Sequence, residues 1–180
     1  MDGRGLALAA RALRHGKIVA YPTEGVYGLG CDPRQRAAVA RLLKLKRRRW
    51  QKGLILIAAD PAQLAPYVAD LPDIARRTWP GPHTWLVPAR PDCPRWLRGT
   101  HELIAVRITA HPLAAGLCRT AGMALVSTSA NRAGAVPARF ARDVRRRLGH
   151  RVDYVLAGRV GARKRPTPIR NALTGASLRA

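Results

Sequence analysis

The chain has 180 residues, 47% of them hydrophobic and 24% charged, which gives one ordinary domain with a substantial core and excludes a disordered polymer. Its 33 Lys and Arg against 10 Asp and Glu leave a net charge of +23, a field that favours nucleic acid, nucleotides or anionic membranes without choosing among them. No run approaches the roughly 20 apolar residues of a membrane-spanning helix, and Arg4, Arg11, Arg14 and His15 interrupt the N-terminus too often for a secretory signal, so the expected location is the cytoplasm.

In chain order, residues 6–13 carry apolar side chains at helical spacing and stop at His15 and Gly16. Residues 18–21 form a short strand ended by Pro22, which cannot donate to a ladder. A glycine-rich turn follows. Residues 37–45 predict an amphipathic helix with Val39, Leu42 and Leu43 inward, and residues 53–59 a strand buried on both faces. Short helices are expected over 61–68 and 72–78, then a turn at 79–82 and strands over 83–88 and 103–108. A helix over 111–120 has Pro112 in its first turn. A strand over 123–127 opens into a hydroxyl-rich segment. A helix over 138–148 carries Arg139, Arg142, Arg145, Arg146 and Arg147, four of which recur at spacings of three or four and so line one exposed stripe. A strand over 152–156, a basic loop over 159–168 and short strands near Ile169 and Leu178 complete the chain. Interleaved strands and helices define an α/β class, with no repeat and no internal linker, hence a single domain over 1–180.

Three segments carry the chemistry. The first, YPTEGVYGLG over 21–30, sets Thr23 and Glu24 at a strand tip, with Gly25, Gly28 and Gly30 permitting close backbone approach. Alone it reads better as a plain glycine-rich turn. The second, KRRRWQKGLILI over 46–57, places Lys46, Arg48 and Lys52 before a buried strand. Lys supplies a compact charge and Arg a planar fork for two anionic oxygens, although cations at a helix end also simply complement its dipole. The third, VSTSAN over 126–131, runs a buried strand out into Ser127, Thr128, Ser129 and Asn131. Small hydroxyls at a strand's carboxyl end suit phosphate oxygens, and they also serve as helix caps. The cysteines Cys31, Cys93 and Cys118 are odd in number and lack CxxC spacing, as expected of reduced, buried thiols. The five histidines show no metal-ligand spacing, and no P-loop, nucleophile elbow or dinucleotide fingerprint is present.

The order and content of these segments resemble the YrdC-like (TsaC) family of threonylcarbamoyl-AMP synthases, over about residues 16–179. Lys46, Arg48, Ser129 and Asn131 match the family's catalytic Lys-x-Arg and Ser-x-Asn tetrad. Arg107, in AVR before His111-Pro112, matches an Arg that clamps the threonine carboxylate. By resemblance Thr23, Ser127 and Thr167 line the threonine site, while Arg48, Lys52, Ser129 and Arg179 serve ATP. The sequence departs from the family at Gly25, where Thr is common, at Arg49, where Pro is usual, and at Asn171, where many relatives carry Asp.

The resemblance implies a single α/β domain whose twisted mixed β-sheet and flanking helices surround a concave pocket. It implies formation of threonylcarbamoyl-AMP and pyrophosphate from L-threonine, bicarbonate and ATP, with Mg2+ arriving on the ATP and no protein metal site or prosthetic group. The product would pass to a separate transferase complex for tRNA modification. Archaeal and yeast relatives carry a second domain, and this chain looks like the short bacterial form. The rival reading is a non-catalytic module binding double-stranded RNA or tRNA, resting on the net charge and the arginine stripe. The two differ in the pocket, because an RNA module has no need for Thr23, Ser129 and Asn131 to converge with Arg107.

Overall fold

The computed structural model describes residues 3–163 and 167–179. Among these residues six α-helices, α1 (Gly3–Arg14), α2 (Arg36–Lys46), α3 (Asp73–Thr78), α4 (Arg95–Arg98), α5 (Pro112–Ala121) and α6 (Ala141–Leu148), flank one nine-stranded sheet. Its strands are β1 (Val19–Pro22), β2 (Tyr27–Cys31), β3 (Ile55–Ala58), β4 (Thr84–Pro88), β5 (Leu103–Ile108), β6 (Leu125–Ser129), β7 (Tyr154–Val155), β8 (Ile169–Asn171) and β9 (Ser177–Arg179). The spatial order is β7-β1-β2-β6-β3-β5-β4-β8-β9, with β7–β1, β3–β5 and β4–β8 parallel and the other neighbours antiparallel. The sheet is therefore mixed, as expected.

Strand alternation divides the core between two faces. On one, Val19, Tyr21, Ile57 and Leu125 pack against Leu6, Ala9, Ala10 and Leu13 of α1 and Ala114, Leu117 and Cys118 of α5. These α1 positions recur at the helical spacing of an apolar stripe. On the other, Ala20, Leu29, Leu56, Val106 and Val126 meet Val39 and Leu42 of α2 and Val144 and Leu148 of α6. Each fully buried Leu, Ile or Val contributes about 1.5–3 kcal/mol. The helix α5 starts sharply because Pro112 occupies its first turn and the His111 ring accepts from the Ala114 N–H.

Several elements differ from expectation. Only residues 23–26 of the glycine-rich segment after β1 form a turn; the rest, with Gly28 and Gly30, is an interior strand, β2, paired to both β1 and β6. Its glycines serve packing: Tyr21, fully buried, lies across Gly28 and Gly30. A Cβ on Gly30 would stand 2.6 Å from the Val126 carbonyl and 2.9 Å from the Tyr21 ring. β6 extends through Ser129, so Ser127 and Ser129 share one face of a strand rather than a loop. α6 begins at Ala141, not 138, which removes Arg139 from the stripe. Arg142, Arg145, Arg146 and Arg147 remain exposed. α4 was not anticipated, since four residues carry no readable period.

The contact between Tyr21 and Gly30 yields a test. Gly30→Ala should overpack the β1–β2–β6 region and lower stability by about 1–3 kcal/mol, read as a shifted urea midpoint with an unchanged slope.

Candidate active site

The face of the sheet that α1 and α5 cover continues beyond them, and there it turns polar. On the same side as Ile57 and Leu125 stand Ile55, Ala105, Arg107, Ser127 and Ser129, with Gly28 beside them, and these residues floor a cavity of about 1150 Å³. Thr23, Lys46, Arg48, Lys52, Arg107, Ser127, Ser129 and Thr167 all line it. The three sequence segments and the Arg107 strand thus meet in one place. Asn131 stands just behind this lining. The Arg179 side chain, expected at the ATP phosphates, lies outside the described residues, as do Lys164, Arg165 and Pro166 of the basic loop.

At one wall, the end of α2 is joined to the end of β6. Lys46 Nζ donates to the Ser129 carbonyl at 2.6 Å, the Asn131 carbonyl at 2.6 Å and Asn131 Oδ1 at 2.7 Å. An ammonium has three protons, and all three are engaged. Ser129 Oγ donates to the same Oδ1 at 2.6 Å, which leaves its lone pairs for the cavity. Asn131 Nδ2 ties the following turn by donating to the carbonyls of Arg132 and Ala135. Burial, and secondarily the Arg48 charge, push the Lys46 ammonium down to about 8. Arg47 has φ 49°, the left-handed conformation at the helix C-cap. That reversal lets Lys46 point into the fold while Arg48 reaches the cavity wall, where its Nε and Nη2 donate to the Gly53 carbonyl at 3.2 and 2.8 Å.

At the other wall, Arg107 is 7% exposed. Its Nη1 donates to Thr167 Oγ1 at 2.7 Å, and its Nη2 lies 3.4 Å from Glu24 Oε2. Thr109 Oγ1 donates to Glu24 Oε1 at 2.7 Å. Burial raises the Glu24 pKa, but the Arg107 charge and the Thr109 hydrogen bond outweigh it, so the carboxyl is held below its ordinary value. Thr23 Oγ1 donates to the Val26 carbonyl at 2.7 Å. A strap over residues 158–163 closes this end. The Gly161 and Arg163 N–H groups donate to the Thr23 and Glu24 carbonyls at 2.9 and 3.1 Å, and Tyr27 Oη donates to the Gly158 carbonyl at 2.7 Å.

Sequence reasoning missed two contributors. Arg139 lines the cavity and donates through Nη1 to the Gly25 and Arg163 carbonyls at 2.8 and 3.2 Å. Helical periodicity had absorbed it into α6. Glu24 sits inside the first motif, and its signal was an acidic residue at a strand tip in a chain poor in acids. Among the described residues, the cavity is lined by Lys46, Arg47, Arg48, Arg49, Lys52, Arg98, Arg107 and Arg139 against one acidic side chain, Glu102. No group of three or more His, Cys, Asp or Glu among the described residues is placed to hold a metal. The three cysteines are free and buried, and burial raises Cys31 and Cys118 to about 12. No helix among the described residues is long and apolar enough to cross a membrane.

Fold and cavity define an α/β protein with a concave, strongly cationic site. The family model Sua5_yciO_yrdC, described as "Telomere recombination", matches residues 11–179, and the chain belongs to that family. The threonylcarbamoyl-AMP synthase of Nitrosococcus oceani is 57% identical over 176 residues, covering 96% of this chain and 95% of its own. That of Halorhodospira halophila is 55% identical over 175 residues, covering 95% and 92%. The crystal structure of P. abyssi Sua5 complexed with L-threonine superposes with a TM-score of 0.86 at 30% identity, covering 92% of this chain and 50% of the archaeal one. This chain therefore spans about half the length of that protein. E. coli YciO, at 24% identity and a TM-score of 0.84, shares the fold.

The buried ammonium has a measurable consequence. At pH values below about 8 Lys46 is protonated in both folded and unfolded chains, and above 10.5 in neither. Between them the folded chain releases the proton first, so this group's contribution to stability rises with pH across that window. The unfolding free energy of wild type minus that of Lys46→Met should increase between pH 8 and 10. Urea titrations at several pH values check this, and subtraction removes the opposing contributions of the buried thiols.

Proposed function

We propose that this protein is an L-threonylcarbamoyladenylate synthase, joining L-threonine, bicarbonate and ATP into threonylcarbamoyl-AMP and pyrophosphate. The observation that carries the reading is the meeting, in one cavity, of the Arg107–Thr167–Ser127–Thr23 end with the Lys46–Ser129 wall and the cations Arg48 and Lys52. The names of the bacterial relatives and the threonine bound to the archaeal one support it.

In this reading Arg107 takes the threonine carboxylate, as a planar guanidinium suits two parallel oxygens. Thr23, Ser127 and Thr167 surround the rest of the amino acid. The threonine amine and bicarbonate combine, with loss of water, into a carbamate. A carbamate oxygen then forms a bond to the α-phosphorus of ATP while the bond to the pyrophosphate oxygen breaks. The protein's contribution is positioning and charge neutralisation. Arg48 and Lys52 face the phosphates, and Ser129, its proton held by Asn131 Oδ1, presents lone pairs to a donor such as the threonine or carbamate N–H. Lys46, with every proton engaged, builds the wall instead of contacting phosphate. Mg2+ arrives on the triphosphate and keeps water in its shell. The apolar side chains Leu86 and Ile169, also in the lining and only partly buried, offer a surface for the nucleobase. In the cell we place the enzyme in the cytoplasm, supplying a separate transferase that modifies tRNA. The exposed arginines of α6 suit sequence-independent contact with tRNA phosphates.

Threonine-dependent pyrophosphate release tests the reading. Arg48→Ala and Ser129→Ala should each lower it about 100- to 1000-fold while circular dichroism stays unchanged, and wild-type turnover would remove the residue from the mechanism. Arg107→Lys should raise the KM for threonine more than that for ATP. An effect confined to ATP would overturn the carboxylate assignment.

A further inference from the structure

We propose that Glu24 is a positioning residue for the carboxylate site: held by the Thr109 hydroxyl, its carboxylate fixes the Arg107 guanidinium so that the fork faces the cavity. The inference rests on the reading of Arg107 as the threonine clamp. Arg107 and Thr167 line the cavity, and Glu24 does not. The carboxylate therefore backs the guanidinium from behind rather than occupying the place of a substrate. Its side chain is 12% exposed and that of Arg107 7%, so each is the other's charge compensation in a nearly dry setting. An arginine so buried, with no anion beside it, would be strongly unfavourable before substrate arrives.

The contact is built to orient without consuming donors. At 3.4 Å the Glu24 oxygen balances the charge of Nη2 yet falls short of a tight, bidentate pair. Glu24 Oε2 has no other hydrogen-bond partner, and neither does Arg107 Nε. The carboxylate is in turn fixed from two directions. Thr109 Oγ1 accepts from the His111 N–H at 3.2 Å, which directs its own proton to Glu24 Oε1 at 2.7 Å. On the backbone side the Arg163 N–H donates to the Glu24 carbonyl. Gly161 presses so closely on that peptide that a Cβ there would come within 2.5 Å of the same oxygen. His111 Nε2 meets the Arg159 carbonyl at 3.0 Å, so the β5–α5 corner that carries Thr109 is tied to the same strap. The line from strap to Thr109 to Glu24 to Arg107 ends at the cavity.

Glu24→Gln keeps the volume and an oxygen for Thr109 but removes the charge. Misplacing a substrate-holding group by about an ångström typically costs up to 100-fold, so the KM for threonine should rise about ten- to a hundred-fold. The KM for ATP, and kcat at saturating threonine, should stay near wild type. Thr109→Val should move the threonine KM in the same direction, and Thr109→Ser, which restores the hydroxyl, should return it toward wild type. A purely structural role would lower the melting temperature and raise both KM values together, which would overturn the proposal. So would a threonine KM that is unchanged or reduced in Glu24→Gln. If that variant does not fold, the Thr109→Val and Thr109→Ser pair decides. Arg107→Lys assayed in parallel separates the two claims. If it raises the threonine KM while the Glu24 and Thr109 variants do not, the clamp stands and the buttress falls. If Arg107→Lys leaves the threonine KM unchanged, both fall.

Discussion

A single ammonium group sets the geometry of the site. Lys46, at the last turn of α2, gives its three protons to oxygens of Ser129 and Asn131 at the end of β6. Residues 83 positions apart in sequence are thereby joined across the cavity wall. Burying a charge is costly unless its hydrogen-bonding capacity is filled, and here every donor finds an oxygen. Without the ammonium, three acceptors would lose their donor and the serine–asparagine turn its anchor. The left-handed Arg47 completes the device by separating the directions of Lys46 and Arg48. One cation becomes part of the scaffold and the next remains for a ligand.

The rest of the charge distribution follows from that division of labour. Among the described residues, eight lysines and arginines line the cavity against Glu102, but they are not equivalent. Lys46 is committed to the protein, Arg107 is poised between Thr167 and Glu24, and Arg139 holds the strap through carbonyl oxygens. The cations at 47–52 are exposed and add to a field that draws a polyanion in. The net charge alone could not distinguish these roles, because it counts a buried structural ammonium and a solvated surface arginine alike.

What the sequence revealed, and what it withheld, follows the same physics. The long periodic helices α1, α2 and α5 and the apolar strands β3 and β5 were readable, because burial on a fixed period leaves a pattern. So was the convergence of Thr23, Lys46, Arg48, Arg107, Ser127, Ser129 and Thr167, through the family resemblance. β2 was hidden. Its glycines signal a turn by composition, yet they are there so that Tyr21 can lie across them, a contact between strands that local pattern cannot express. Arg139 was hidden for the opposite reason, since it stands just ahead of α6 and continues the spacing of the arginines within that helix. Glu24 was visible as a residue, but its pairing with Arg107 joins positions 83 apart, and only the register of the sheet brings them together.

A crystal structure with L-threonine and a non-hydrolysable ATP analogue bound tests the central claim most directly, namely that one wall takes the amino acid and the other the phosphates. The account predicts the threonine carboxylate on Arg107 beside Thr167, with the triphosphate along Arg48 and Lys52, and Lys46 still donating to Ser129 and Asn131. A triphosphate lying on Arg107, or Lys46 swung out of its three oxygens to meet phosphate, would contradict it.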